Sequence, residues 1–198
     1  MSKEIELKFS MPESLCANDV FGSVELDSEI REIKMKSTYF DTKNNLLGYT
    51  KTSLRHRMEN DVSVFTVKTP ISGSRALAQR GEWQVEAKTL DEALPKLLAK
   101  GVPADIIAIS KTPLVTVAEF EFSRQCGVLK TDSFSAELCV DIGYLSPDGV
   151  KKAPLREIEL ELISGEIAAL CAYGEELKER FSLVPQTLSK LARARNLK

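Results

Sequence analysis

Glu157-Ile158-Glu159-Leu160-Glu161-Leu162-Ile163-Ser164-Gly165 and, near the start of the chain, Glu4-Ile5-Glu6-Leu7-Lys8-Phe9 decide how this sequence is read. Both stretches begin by alternating between a charged and an apolar residue. Successive side chains of a β-strand point to opposite faces. Glu157, Glu159 and Glu161 therefore share one face, opposite Ile158, Leu160 and Leu162. Glu4, Glu6 and Lys8 likewise share a face, opposite Ile5, Leu7 and Phe9.

The same parity recurs along the chain. Arg55 and Arg57 share a face, Lys68 shares one with Thr66 and Val64, and Arg80 shares one with Glu82, Gln84 and Glu86. Glu137, Cys139 and Asp141 form another such set. One charged strand face is ordinarily a solvated face of an antiparallel sheet. Six strands with clusters of fixed sign are a different case. Three glutamates in line repel one another unless a cation or basic groups face them, and basic clusters stand on other strands. A closed sheet places both sets in one lumen, with the apolar faces turned outward under helices. Arginine and lysine in such a lumen would hold phosphate oxygens. The glutamates would hold divalent cations that bridge to the same phosphates. Phosphoryl transfer needs mainly positioning and charge stabilisation, which this layout supplies.

The remaining elements follow from periodicity and turn residues. Strands are expected over 4–9, 33–41, 52–58, 62–68, 77–87, 115–124, 128–130, 135–144 and 155–163, about eight in all. Helices are expected over 12–23, 90–100 with Gly101 as its cap, 104–110, 166–181 and 188–195. Ser146-Pro147-Asp148-Gly149 reads as a turn. The fold class is α+β, built on an antiparallel, barrel-like sheet.

Composition narrows the function. With 27 Lys+Arg against 29 Asp+Glu, the chain is no generally basic nucleic-acid coat. No apolar run approaches the length of about 20 residues that a membrane helix needs, and MSKEIELKFS has no apolar signal core, so a cytoplasmic protein is expected. Cysteines at 16, 126, 139 and 171 form no CxxC pair and fit a reducing compartment. His56 is the single histidine, so a metal would rest on carboxylates, as a hard cation does. His56 points away from Arg55 and Arg57 and is read as structural, packed against a helix; Trp83 is read as core.

At these residues the chain resembles the CYTH superfamily, the triphosphate tunnel metalloenzymes. Glu4-Ile5-Glu6-Leu7-Lys8 is similar to its ExExK signature. Tyr39-Phe40-Asp41-Thr42, Leu54-Arg55-His56-Arg57, Thr66-Val67-Lys68 and Gln79-Arg80-Gly81-Glu82 follow in the family's order, as do Arg124, Asp141-Ile142-Gly143, the Glu157–Glu161 strand and Ser189-Lys190. The likeness is greatest to bacterial inorganic triphosphatases. It implies one CYTH domain over 1–198, an eight-stranded antiparallel tunnel with helices outside, Mg²⁺ or Mn²⁺, and a small-molecule triphosphate substrate, with no nucleic-acid or membrane partner. By position, Glu4, Glu6, Glu159 and Glu161 would be metal ligands, supported by Glu157. Lys8, Arg55, Arg57, Lys68, Arg80, Arg124 and Lys190 would bind phosphates. Glu82, Glu137 and Asp141 would order the basic residues or help hold a second metal. Glu6, Lys8, Glu137 and Asp141 would stand nearest the chemistry, and the carboxylate that orients the attacking water is one of Glu6, Glu137 and Asp141. An adenylate cyclase, a nucleoside or thiamine triphosphatase, and a non-catalytic polyphosphate-binding module stay open as alternatives, as does homodimerisation.

Two departures from the pattern stand out. After Ser189-Lys190 the chain reads Leu191-Ala192-Arg193-Ala194-Arg195, without the family's RGY-like ending, so the tunnel's C-terminal closure is expected to differ. Arg193, Arg195 and Lys198 read as a solvated helix end. Arg124 is out of phase with Glu119 and Glu121; a bulge at Phe122-Ser123 would reconcile them, and otherwise the two glutamates face outward.

Overall fold

The computed structural model describes residues 2–74, 77–147 and 152–197; the side chains of residues 2–3 and 71–80 are not among those described. In chain order the elements are β1 (Ser2–Ser10), α1 (Ala17–Phe21), β2 (Arg31–Thr42), α2 (Leu46–Tyr49), β3 (Ser53–Glu59), β4 (Val62–Ser74) and β5 (Leu77–Glu86). Then come α3 (Leu90–Ala99), α4 (Ala104–Ser110), β6 (Leu114–Lys130), β7 (Phe134–Ser146), β8 (Ala153–Gly165), α5 (Ile167–Phe181), β9 (Val184–Pro185) and α6 (Lys190–Arg195). The strands form one antiparallel sheet in the order β5-β4-β3-β2-β6-β7-β8-β1-β9. The sheet curls until its ends meet: β1 pairs with β5 over residues 2–7, while its other edge pairs with β8. Where β5 leaves β1, the two residues of β9 take the vacated edge at Phe9 and Ser10.

This is the expected α+β barrel of eight long strands, with three corrections. The runs 115–124 and 128–130 are one strand, β6, continuous across Gln125-Cys126-Gly127. The first helix begins at Ala17, not Pro12, because Cys16 and Asp19 close a capping box there, with the Cys16 N–H donating to Asp19 Oδ2 at 2.9 Å. The bulge in β6 lies at Val117, where Tyr39 faces Ala118 and Phe40 faces Thr116, and pairing through Phe122-Ser123 is regular. Glu119 and Glu121 therefore lie on the outer face, where Glu121 meets exposed Lys36 at 3.2 Å. Gly101 caps α3 as expected, at φ +94, where a side chain would strain the backbone. The 146–149 turn falls partly on residues 148–149, outside those described.

Strand alternation sorts the core into layers. On the outer face Leu7, Phe9, Leu138, Val140, Ile158 and Leu160 pack under α1 and α5. Leu54, Phe65, Val67, Trp83 and Val85 pack under α2–α4. His56 instead stacks on Phe65 and bonds Ser63, both on β4, where a helix contact was expected. A third apolar cluster lies inside the barrel at one end, where Leu191 and Ala194 of α6 pack with Tyr39, Phe120, Phe122, Leu145 and Leu155. The C-terminal helix thus closes that end.

Register then sets the charged side chains in levels. Arg124, Asp141 and Glu157 are successive partners across β6, β7 and β8. Cys126, Cys139, Glu159 and Lys8 form the next level, across to β1. Glu137, Glu161 and Glu6 form the level after that. Gly143 is required by this geometry: a Cβ there would lie 2.2 Å from the Glu121 carbonyl oxygen and 2.5 Å from Phe122 Cα.

Candidate active site in the barrel lumen

The inward strand faces enclose a cavity of about 460 Å³. Among the described residues seven acidic and seven basic side chains line it, so its binding character comes from where the charges stand and not from a net sign.

At one corner Glu4 of β1, Glu82 of β5 and Glu161 of β8 each bring a carboxylate oxygen within 4.8 Å of the others. Lys68 of β4 reaches Glu4 at 2.5 Å and Glu82 at 3.4 Å. The other oxygen of Glu4, Oε2, is buried without a hydrogen-bond partner. A buried acceptor left unmade is costly, and three carboxylate oxygens are the donor set of a hard divalent cation. These residues fit Mg²⁺ or Mn²⁺. Burial, then the neighbouring charge of Glu4, pushes the Glu161 carboxyl up to about 7, with Lys68 opposing and Glu82 and Glu6 adding.

Arg55 and Arg57 of β3 face the same cavity. Arg55 donates to Thr66 Oγ1 at 3.1 Å and Arg57 donates to Glu59. The Nε of each is buried without an acceptor. Burial and the adjacent Arg55 bring Arg57 down to about 10, which leaves it charged at neutral pH. Both side chains line the cavity, where their guanidinium groups could meet an anion. Lys8 stands nearby in a buried pair with Glu6 at 3.0 Å.

The closed end is organised by Ser189-Lys190. The Ser189 hydroxyl accepts the Ala192 N–H at 3.1 Å and starts α6, which aims Lys190 into the barrel. Lys190 Nζ lies 2.8 Å from Glu159 and 2.9 Å from Asp141 and touches Glu157, which also binds Arg193. Arg124 grips Asp141 through two N–H groups at 2.7 and 2.8 Å and reaches Glu159 at 2.5 Å. Burial works against the Glu159 charge, but Lys190, Arg124 and Lys8 hold its carboxyl well below the usual range. Burial likewise opposes the Lys190 charge, and Asp141, Glu157 and Glu159 overcome it.

The predicted residues thus fall into separate groups. Of the expected metal set, Glu4 and Glu161 gather with Glu82, and Glu6 pairs with Lys8. Glu157 and Glu159 converge with Asp141, where protein cations already neutralise them. Asp141 and Glu157 are fully buried and do not line the cavity. Glu137 does line it and pairs with Arg31 at 2.6 Å. Arg55, Arg57, Lys8 and Lys68 face the cavity with Arg124 and Lys190. The Arg80 backbone pairs with Glu4, and its side chain lies outside those described.

Sequence reading passed over Arg31, although its parity with Ile33, Met35 and Ser37 places it on the lumen face. The solvated reading of the basic tail is corrected for two residues. Arg193 binds buried Glu157, and Arg195 donates to buried Asp41 at 2.9 Å. Lys198 lies outside the described residues. Asp41 also accepts the Thr42, Leu47 and Gly48 N–H groups, so it is an anchor for α2.

A closed antiparallel barrel with opposed charges inside and a helix closing one end defines a class, the charged β-tunnel proteins. The CYTH domain model matches residues 2–194, and the chain belongs to the CYTH family. The fold is shared with solved structures over nearly the whole chain. One is a Hippeastrum protein described as a candidate adenylyl cyclase with a dominant triphosphatase activity: 19% identity, 98% of this chain and 96% of that one covered, TM-score 0.70. A protein from Pyrococcus horikoshii aligns at 18% identity over 98% and 99%, TM-score 0.60. A candidate adenylate cyclase from Bacillus halodurans aligns at 18% over 96% of each chain, TM-score 0.56. No helix among the described residues is long and apolar enough to cross a membrane.

Proposed function

We propose that this protein is a metal-dependent inorganic triphosphatase, which hydrolyses tripolyphosphate to pyrophosphate and phosphate inside the barrel. The observation that carries the reading is one cavity with two kinds of incomplete partner. Glu4, Glu82 and Glu161 converge with a buried carboxylate oxygen unmatched, and Arg55 and Arg57 present buried N–H donors with no acceptor. A triphosphate with a divalent cation supplies what each lacks. Membership of the CYTH family and the fold shared with the Hippeastrum protein support it.

Mg²⁺ or Mn²⁺ at Glu4, Glu82 and Glu161 would supply Lewis acidity, neutralising phosphate oxygens and making water more acidic. The chain's own residues do the rest. Arg55 and Arg57 hold phosphate oxygens and, being held by Thr66 and Glu59, need little reorganisation as charge develops. Lys68 sits between the carboxylate corner and β3 and keeps Glu4 oriented. Glu6, held by Lys8, and Glu137, held by Arg31, are the candidates among the water-orienting carboxylates that face the cavity; Asp141 does not line it. Arg124 and Lys190 are held by Asp141, Glu157 and Glu159 and shape the closed end.

The test is release of phosphate from tripolyphosphate with and without Mg²⁺ or Mn²⁺, beside ATP and pyrophosphate. Metal-dependent turnover of tripolyphosphate, abolished in Glu161→Gln with the fold intact, is expected. Turnover of ATP alone, or cyclic AMP as product, would transfer the site to a nucleotide enzyme. Tight tripolyphosphate binding without any turnover would leave a binding module.

A further inference from the structure

Cys126 and Cys139 are register partners on adjacent strands, and both point into the lumen. Both are free thiols and both are buried. Glu137, two residues before Cys139 on the same face, completes the group. The two sulfurs and one Glu137 oxygen all lie within 4.8 Å of one another. Cys139 Sγ stands 3.5 Å from Glu137 Oε2. With metal–sulfur and metal–oxygen bonds of about 2.3 and 2.0 Å, a tetrahedral ion separates sulfur from oxygen by about 3.5 Å. That edge of the tetrahedron is therefore already formed.

The carboxylate is oriented as a ligand. Its other oxygen, Oε1, accepts from Arg31 at 2.6 Å, which turns Oε2 toward the thiols. A partner on the far side of a ligating group is how protein sites fix ligand orientation. Charge also balances: two thiolates and a carboxylate around a divalent ion leave one negative charge, which Arg31 offsets. Cys126 and Glu137 line the cavity, so an ion has a route in and a fourth position open to it.

We propose that Cys126, Cys139 and Glu137 form a binding site for one thiophilic divalent cation of the zinc class, separate from the carboxylate corner at Glu4, Glu82 and Glu161. Thiolates select soft and borderline ions over Mg²⁺, whereas the carboxylate corner has the opposite preference. The two sites in one lumen thus differ in the metal they take. Because thiolates and not thiols ligate, an ion bound here would displace the thiol protons, so its affinity would rise with pH.

The test uses the full chain, kept reduced with a phosphine and titrated with Co²⁺ in excess Mg²⁺, reading the thiolate-to-cobalt charge-transfer absorption. The expected result is a band that saturates at one equivalent, loses about half its intensity in Cys126→Ser and vanishes in the Cys126→Ser/Cys139→Ser double variant. Glu137→Gln keeps both sulfurs at a half-buried position, and it is expected to weaken Co²⁺ binding by about tenfold or more. Absence of the band in the unaltered protein, its survival in the double variant, its loss to Mg²⁺, or unchanged affinity in Glu137→Gln would each overturn the site. Because Co²⁺ absorption is read and not turnover, the result stands apart from the triphosphatase reading.

Discussion

Lys190 of α6 and Asp141 of β7 lie 2.9 Å apart inside the barrel, and that contact ties α6 to the sheet at its closed end. Lys190 also meets Glu157 and Glu159, and all four groups are withdrawn from solvent. Removing one partner from a buried ion cluster leaves uncompensated charge. Lys190→Met is expected to lose about 3–5 kcal/mol in urea unfolding. A loss within about 0.5 kcal/mol, as for an ordinary surface position, would remove α6 from the fold's support.

Arg55 is predicted to act on substrate more than on folding. Its guanidinium bonds Thr66, its residue lines the cavity, and its buried Nε has no acceptor. Arg55→Lys keeps a charge but loses the planar fork. At about 1.5–3 kcal/mol for a hydrogen bond to a charged group, kcat/KM for tripolyphosphate is expected to fall by about ten- to a hundredfold. An unchanged kcat/KM would take Arg55 out of the phosphate seat.

The carboxylate corner predicts a pH dependence with a definite sign. The Glu161 pKa is raised from 4.5 to about 7 by burial and then Glu4. A raised folded-state pKa means that the folded protein holds its proton longer than the unfolded chain does. In EDTA-treated protein this contribution to stability is present below about pH 4.5 and is lost as pH rises through 7. A divalent cation competes with that proton, so Mg²⁺ affinity is expected to climb up to about pH 7 and level off above it. Thermal unfolding with and without Mg²⁺ across pH 5–9 checks both. A Mg²⁺ shift in Tm equal at pH 5 and pH 8 would contradict the assignment.

Gly143→Ala is predicted to destabilise although it adds one methyl group. The new Cβ would meet the Glu121 carbonyl oxygen at 2.2 Å and Phe122 Cα at 2.5 Å, and both belong to backbone that cannot rotate away. Forced overpacking of this kind costs about 1–3 kcal/mol. The denaturation midpoint measures it, and a midpoint unmoved from that of the unaltered protein would show that β6 and β7 can separate there.

The sequence by itself determined which side chains face the lumen. Period-two alternation is local, so Glu4, Arg55, Lys68, Asp141 and Glu159 could be placed on inward faces from their own strands. It also located the cap at Gly101, because a cap depends on neighbours within a turn. Arg31 was missed because it stands at the start of β2, where no alternating partner precedes it. Arg193 and Arg195 were misread because a basic helix end looks the same whether it meets water or a buried carboxylate. Only the tertiary structure decided who pairs with whom: Glu161 with Glu4 and Glu82, Glu159 with Lys190 and Arg124, Cys126 with Cys139. Those pairings join strands and a helix far apart in the chain. They depend on register, on closure of β1 against β5 and on the docking of α6, none of which a local pattern contains.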